Sequence, residues 1–280
     1  MAHVNISNLE QLGAETALTE IHKLQTNRAY RDTCEKFYIE GVRNFIKAAD
    51  NGFDISTIIY SEKLLTAPLA RKLVRNRRRS GTPTINITPE QFRRISSTER
   101  ASGIGAIVRQ QWFNLKEISP QAGSYWVALE TVRSPGNLGT LIRTSEAFGG
   151  AGFIFIGNKI NPFDPDIVRA SMSSLFSQKF VRTSYRAIGH WLQHQNCMAI
   201  GASPNGSVDL HKFNYKQSTL LFLGEERQGL TQQQRELCQH LVRIPMIGAV
   251  DSLNLAVAGS LIMYEVYRMS FNPVKTSNKY

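Results

Sequence analysis

The stretch DSLNLAVAGSLIMYEVYR, residues 251–268, constrains this chain more than any other part of it. Its spacing reads as a helix carrying two apolar stripes. Leu253, Val257, Leu261 and Tyr264 form one, and Leu255, Ala258, Ile262 and Val266 form the other. A helix apolar all round is buried on all sides or crosses a membrane. Yet this one opens on Asp251, Ser252 and Asn254, small polar residues in its expected first turn, after IPMIGAV, which reads as a strand end and a turn. Plain N-terminal capping is one role for such residues. Across 280 residues there is no apolar run of the roughly 18 residues a span requires. The start, MAHVNISNLEQLG, has no basic patch followed by an apolar stretch, so no secretory signal is expected. Burial between protein layers is therefore expected for the helix. With 42% apolar and 20% charged residues, the chain has the composition of a globular protein with a substantial core. Cys34, Cys197 and Cys238 are far apart and form no CxxC pair, which suits free thiols and a cytoplasmic location.

The net charge of +11 is unevenly spread. Between residues 71 and 94, Arg71, Lys72, Arg75, Arg77, Arg78, Arg79, Arg93 and Arg94 face Glu90 alone. Such a cluster is a footprint for a polyanion, most simply nucleic acid. The local reading is a helix over TAPLARKLVRNRRRSG, with Thr66 as N-cap, Gly81 just past its end, and cations complementing the C-terminal dipole. The arginines at 75, 77, 78 and 79 exceed any capping requirement.

The chain divides near residue 120. A loose arm is expected over 1–20, a small α/β sandwich over 21–112 and a polar linker over 113–123, within QWFNLKEISPQAGS. An α/β domain over 124–270 and a tail over 271–280 complete the expected organisation. In the first part KFYIEG, DISTIIYSE, TPTINIT and GIGAIVRQ suit strands, and VRNFIKAADNG suits a helix. In the second, SYWVALETV, GFIFIG, QKFVRTS, CMAIGAS, STLLFLG and HLVRIPM read as strands, with helices between them. Repeated βα units imply a parallel sheet covered on both faces, with ligands beyond the carboxyl ends of its strands.

Three Gly-bearing loops belong to such ends: RSPGNLG, LGEERQGL and IPMIGAVDSLN. None is GxGxxG or GxxxxGK[ST], so neither a nicotinamide nor a nucleoside triphosphate fingerprint is present. His190 and His194 share a face of an amphipathic helix ahead of Cys197, a pattern of a solvated surface rather than a zinc site; no metal is expected.

In this order the three loops resemble the signature motifs of the SpoU (TrmH) family of RNA ribose 2′-O-methyltransferases. NLGTLIRTSEAFG (137–149) is similar to Asn-x-Gly-x-x-x-Arg-x-x-x-x-Phe-Gly. LFLGEERQGL (221–230) is similar to Gly-x-Glu-x-x-Gly-Leu, and the spacing to Gly229 picks Glu226 over Glu225. IPMIGAVDSLNLAVAGSLIMYE (244–265) is similar to Ile-Pro-Met followed by Ser-Leu-Asn and an apolar helix. In the first half KFYIEGVRNFIKAA and ERASGIGAIVR resemble a ribosomal-protein-like, RNA-binding domain often joined to this family. Ala101-Ser102 departs from the Pro-Gln of many relatives.

The resemblance implies a SPOUT-class α/β domain with a trefoil knot, S-adenosylmethionine as cofactor, ribosomal or transfer RNA as partner, and a homodimer formed through helices near the site. Such a dimer would cover the apolar helix. By position, the resemblance assigns Gly224, Ile244 and Leu253 to cofactor binding, and Asn137, Arg143, Glu226, Ser252 and Asn254 to catalysis. In the family the arginine has been cast as a base. A guanidinium with a pKa above ~12 suits a phosphate clamp better. A non-catalytic RNA-binding protein on the same fold is the alternative.

Overall fold

The computed structural model describes residues 6–120, 124–215 and 218–270. The chain forms two compact units, Met1–Gln111 with Phe163–Ser177, and Trp112–Pro162 with Gln178–Tyr280. The expected tail, 271–280, lies outside the described residues, as do 121–123 of the expected linker.

In the first unit α1 (Ile6–Thr26), α2 (Arg28–Cys34), β1 (Lys36–Glu40), α3 (Val42–Asp50), β2 (Ile55–Tyr60), α4 (Pro68–Arg79), β3 (Thr84–Asn86), α5 (Pro89–Ile95) and β4 (Ile104–Arg109) follow in order. The four-stranded sheet runs β1-β4-β2-β3, with β4 antiparallel to both neighbours and β3 parallel to β2. The expectation of a loose arm over 1–20 is corrected from Ile6 onward, because α1 is helical there and buries Ala14, Ala17, Ile21 and Leu24. Those positions keep helical spacing, but the stripe begins with two alanines, which carry little hydrophobic signal. The stripe packs with Tyr38, Phe92 and Ile107. The opposite side of β1 carries Phe37, whose ring lies 4.7 Å from Phe163 and 6.4 Å from Phe176. Arg31, 3% exposed, pairs with Asp164 at 2.7 Å and donates to Leu24 O at 2.8 Å, so its buried charge is matched.

The basic helix α4 starts one residue later than expected. Ala67, not Thr66, is the N-cap, and Pro68 opens the helix, where its missing N–H costs nothing. Gly81 follows the C-cap Ser80 with φ +89°, a conformation that favours glycine. Ala70 and Val74 face inward. Arg71, Lys72, Arg75, Arg78 and Arg79 are exposed, as are Arg93 and Arg94 on α5, while Arg77 is half-buried. Arg71 also donates to Glu62 O at 3.2 Å, holding the turn before α4.

The second unit contains β5 (Tyr125–Leu129), α6 (Pro135–Ala147) and β6 (Gly152–Ile156); α7 is the short helix Pro165–Ala170 that packs in the first unit. β7 (Lys179–Thr183), α8 (Tyr185–His194), β8 (Cys197–Ala202), β9 (Val208–Asp209), β10 (Ser218–Phe222), α9 (Gln232–Leu237), β11 (His240–Arg243) and α10 (Leu255–Ser270) complete it. Its seven-stranded sheet runs β7-β6-β5-β10-β8-β11-β9, and every pair is parallel. β5, β6 and β10 are buried throughout, which explains their unbroken apolar runs. The start of the expected linker is part of this unit. Phe113 pairs with Val181, and Leu115 and Ile118 enter the core.

α10 corrects the opening expectation at its first turn. It begins at Leu255, so Asp251 and Ser252 belong to the preceding loop. Asn254 caps it, its Oδ1 accepting from the amides of Ala256 at 2.8 Å and Val257 at 3.3 Å. It is also not covered on all sides within the chain. Leu255, Ile262, Met263 and Val266 are buried, but Val257, Leu261 and Tyr264 are 42–49% exposed. The covered face packs on α6. A Cβ at Gly259 would lie 2.5 Å from Leu141 Cδ2, so a larger residue would displace that side chain, and Thr144 Oγ1 meets Ser260 Oγ at 2.9 Å.

Candidate active site

The chain leaves β5 for β6 and β7 on one side, and returns to β10, β8 and β11 on the other. β5 and β10 therefore border the point where strand order reverses, the usual ligand position in an open parallel sheet. Beyond the carboxyl ends of β8, β10 and β11 lies a cavity of about 410 Å³. Ser203 and Asn205 line it after β8, Gly224 to Leu230 after β10, and Ile244, Met246 and Asp251 to Leu253 after β11. α10 closes it with Leu255, Ala258 and Ile262.

Of the residues singled out in the sequence, Gly224, Glu226, Ile244, Ser252 and Leu253 line this cavity. Asn137 and Asn254 do not line it but are wired to it. Glu226 Oε1 accepts from Asn137 Nδ2 at 3.0 Å, and Asn137 Oδ1 accepts from Asn254 Nδ2 at 3.1 Å. Glu226 also accepts from the amides of Arg133, at 3.2 Å, and Ser134, at 3.4 Å. RSPGNLG is thus not wholly a loop. Pro135 opens α6, and Asn137 stands in its first turn, where its side chain can reach back to the strand ends. Arg143 is not brought to the cavity. It is exposed on α6 and makes no hydrogen bond or ion pair among the described residues.

Gly224 serves its own loop. A Cβ there would stand 2.1 Å from Gly229 C and 2.3 Å from Leu230 N, so glycine lets the 224–230 turn close on itself. Glu225 and Gly229 exchange backbone hydrogen bonds of 3.1 and 2.9 Å across that turn, and Gly229 takes φ +68°. The Glu225 side chain braces it. The Gln228 and Arg227 amides and the Arg133 guanidinium hold its carboxyl below the usual carboxylate range.

Sequence reasoning missed a second brace. Tyr185 Oη donates to Glu130 Oε2 at 2.6 Å and lies 3.0 Å from Thr231 Oγ1. Thr231 Oγ1 already accepts from the Gln234 amide as the N-cap of α9, so its own proton points to Tyr185. Lys159 pairs with Glu130 Oε1 at 2.9 Å. The chain of bonds ties the 130–134 loop, whose amides hold Glu226, to the end of the 224–230 turn. Burial and the bond to Glu130 push the Tyr185 hydroxyl up to about 12. No spacing rule flags Tyr185, because its two partners, Glu130 and Thr231, come from segments far from it in sequence.

The cavity suits an adenosyl sulfonium. Leu223, Leu230, Val242 and Ile262 give apolar walls for a nucleoside, Ser203, Asn205 and Ser252 give hydrogen-bonding groups, and Glu226 and Asp251 stand with Arg227 and Arg235 as charged groups of the lining. No group of three or more His, Cys, Asp or Glu side chains able to hold a metal occurs among the described residues.

The SpoU rRNA Methylase family model matches residues 124–264, and the MRM3-like substrate binding domain model matches residues 16–106. A 23S rRNA (uridine(2479)-2′-O)-methyltransferase of Streptomyces viridochromogenes is 32% identical over 249 residues, which cover 86% of each chain. The AdoMet-bound rRNA methyltransferase of Sinorhizobium meliloti superposes with a TM-score of 0.84 at 30% identity, over 91% of this chain and 95% of that one. The SpoU methyltransferase AviRb of Streptomyces viridochromogenes, in complex with AdoMet, gives 0.80 at 30% identity, over 90% and 97%. With residues of the second and third motifs lining one cavity and Asn137 of the first bonded to Glu226 beside it, this chain belongs to the SpoU rRNA methylase family.

Proposed function

We propose that the protein transfers a methyl group from S-adenosylmethionine to a ribose 2′-hydroxyl of ribosomal RNA, acting as a homodimer. The observation that carries this reading is the convergence of Gly224, Glu226, Ile244, Ser252 and Leu253 on one nucleoside-sized cavity, with Asn137 and Asn254 bonded to Glu226 beside it.

When bound, S-adenosylmethionine supplies an electrophilic methyl group on a sulfonium. The chain's own residues supply placement. Ile244 and Leu253 flank the nucleoside, and the closed 224–230 turn presents backbone groups to it. Glu226, fixed by two amides and Asn137, is a preorganised acceptor at the cavity wall. Ser252 offers a hydroxyl at the same wall. Arg143 acts as a bidentate clamp on an RNA phosphate, fixing the ribose for in-line attack. Its exposure and its lack of a partner among the described residues support that role. The 2′-hydroxyl proton passes to the phosphate held there rather than to the guanidinium.

The exposed Val257, Leu261 and Tyr264 stripe supports the dimer, since an unbroken apolar helix face is characteristic of obligate interfaces. A knotted path for the 244–254 segment belongs to the same reading. So do a substrate-binding domain over 21–112 that grips RNA through the α4 and α5 cations, a methyltransferase domain over 124–270, and a cytoplasmic location. No helix among the described residues is long and apolar enough to cross a membrane. A non-catalytic RNA-binding protein is disfavoured, because it has no use for the Glu226–Asn137–Asn254 chain. The test is incorporation of labelled methyl from S-adenosylmethionine into ribosomal RNA, followed by mapping of 2′-O-methyl positions. Absence of incorporation into naked RNA and into ribosomal particles alike would reject the reading.

A further inference from the structure

Arg235 of α9 lines the cavity beyond the carboxyl ends of β8, β10 and β11. Its helix is fixed at the start by a reciprocal cap. The Gln234 amide donates to Thr231 Oγ1 at 3.2 Å, the Thr231 amide donates to Gln234 Oε1 at 2.9 Å, and Gln234 is buried. The Arg235 amide donates to Thr231 O at 3.0 Å in the same turn. The side chain reaches back, and its Nε donates to Leu230 O at 3.3 Å. Leu230 is itself buried and part of the cavity wall, so the guanidinium, and not only the aliphatic stem, stands at that wall. The two terminal nitrogens of Arg235 make no hydrogen bond or ion pair among the described residues. The carboxylates of the lining do not neutralise them. Glu225 is taken by the Arg133 guanidinium and by the Arg227 and Gln228 amides. Glu226 is taken by Asn137 and by the amides of Arg133 and Ser134. Asp251 forms no ion pair among the described residues, and Glu236, next to Arg235 in the chain, accepts from Gln232.

A guanidinium anchored to a cavity wall through Nε, with its terminal edge unspent, is a preorganised receptor for a carboxylate. Arg227 also lines the cavity, but its side chain is exposed and makes no bond among the described residues, so it is not fixed in the same way. S-adenosylmethionine bears one anionic group, the carboxylate of its amino-acid tail. Glu226 and Asp251 repel that group, and Ser203, Asn205 and Ser252 offer it neutral donors. We infer that Arg235 holds the carboxylate of the cofactor through its terminal nitrogens, and so makes the pocket selective for an adenosyl sulfonium that carries an amino-acid tail. A site built to bond a polar group rejects the analogue that lacks it. The inference rests on S-adenosylmethionine being the ligand of this cavity, as proposed above. It concerns binding, not turnover.

The test is calorimetric titration of the full chain, wild type and Arg235→Gln, with S-adenosylmethionine and with its decarboxylated form. The latter keeps the sulfonium and the amine and lacks only the carboxylate. Wild type should bind the decarboxylated form about tenfold or more weakly, the scale of a hydrogen bond to a charged group. Arg235→Gln should lose affinity for S-adenosylmethionine by a similar factor and bind the decarboxylated form no worse than wild type does, which brings the ratio of the two affinities toward one. Arg235→Lys keeps the charge without the fork and should fall between. Melting temperatures should change little, because the side chain is exposed. The same ratio in wild type and Arg235→Gln would overturn the assignment and leave the proposed methyl transfer standing. A variant that binds both compounds as wild type does, yet has lost affinity for a ribosomal RNA transcript, would also overturn it, in favour of an RNA phosphate as the partner of Arg235. A wild-type chain that binds neither compound would remove both readings.

Discussion

Asn254 Nδ2 donates to Asn137 Oδ1 across 3.1 Å and 117 positions of sequence. Because Asn137 Nδ2 simultaneously donates to Glu226, the amide of Asn137 must have its oxygen toward α10 and its nitrogen toward the carboxylate. Both ends of one side chain are spent in joining the first, second and third motif loops. Replacing Asn137 with Asp would set a carboxylate in place of the donor 3.0 Å from Glu226 and create a like-charge pair. Asn137→Asp should therefore lower methyl transfer by ~10²-fold or more, the scale for losing a preorganised donor. Single-turnover assays at saturating cofactor would show this, and activity near wild type would mean that the three-residue chain is incidental.

Gly224 admits no side chain. The backbone of Gly229 and Leu230 blocks a Cβ, and a backbone cannot swing aside as a flexible side chain can. Gly224→Ala should force the 224–230 turn open and weaken S-adenosylmethionine binding at least about tenfold, as overpacking by even one methyl costs ~1–3 kcal/mol. Calorimetric titration is the measurement, with thermal melting alongside to separate local opening from general unfolding.

For Arg143, exposure without a partner among the described residues predicts a clean separation of effects. Arg143→Ala should leave the fold and cofactor affinity intact while methylation drops by ~10²-fold. Arg143→Lys should remain poor, because an ammonium cannot reproduce the guanidinium fork. Full activity of the lysine variant would reject a bidentate clamp.

The Tyr185 hydroxyl titrates at about 12 in the folded chain, against a reference near 10. A raised pKa favours the protonated form, so the stability it contributes is complete below about pH 10 and is lost as pH rises toward about 12. Burial also raises Tyr30, Tyr38, Tyr125 and Tyr215, so tyrosinate absorbance should show several delayed tyrosines, with one fewer in Tyr185→Phe than in wild type. That variant frees Glu130 and Thr231 from each other and should lower turnover several-fold while the melting temperature changes little. Unchanged turnover would show that the brace is not needed to hold the 130–134 loop.

The α10 stripe makes a prediction about assembly. Leu261 is 42% exposed between Val257 and Tyr264. Leu261→Glu should give a monomer by light scattering at low micromolar concentration, with reduced methylation, whereas wild type should be a dimer. A wild-type monomer would leave the stripe without a cover.

Sequence alone determined the parallel α/β character of the second unit, since strands buried on both faces leave unbroken runs such as GFIFI and STLLF. Resemblance to the three SpoU motifs singled out Gly224, Glu226, Ile244, Ser252 and Leu253, and these five line one cavity. Tertiary structure decided what no local pattern encodes. α1 holds its place through a stripe that starts with alanine and gains meaning only against Tyr38 and Ile107. Asn254 caps α10 through the Ala256 and Val257 amides, which leaves Asp251 and Ser252 in the loop before it. Tyr185 matters only because β5, β7 and the turn after β10 end side by side. Hydrogen bonds between strand ends depend on sheet order. That order is set by long-range burial, and a one-dimensional reading sees only the residues that burial selects.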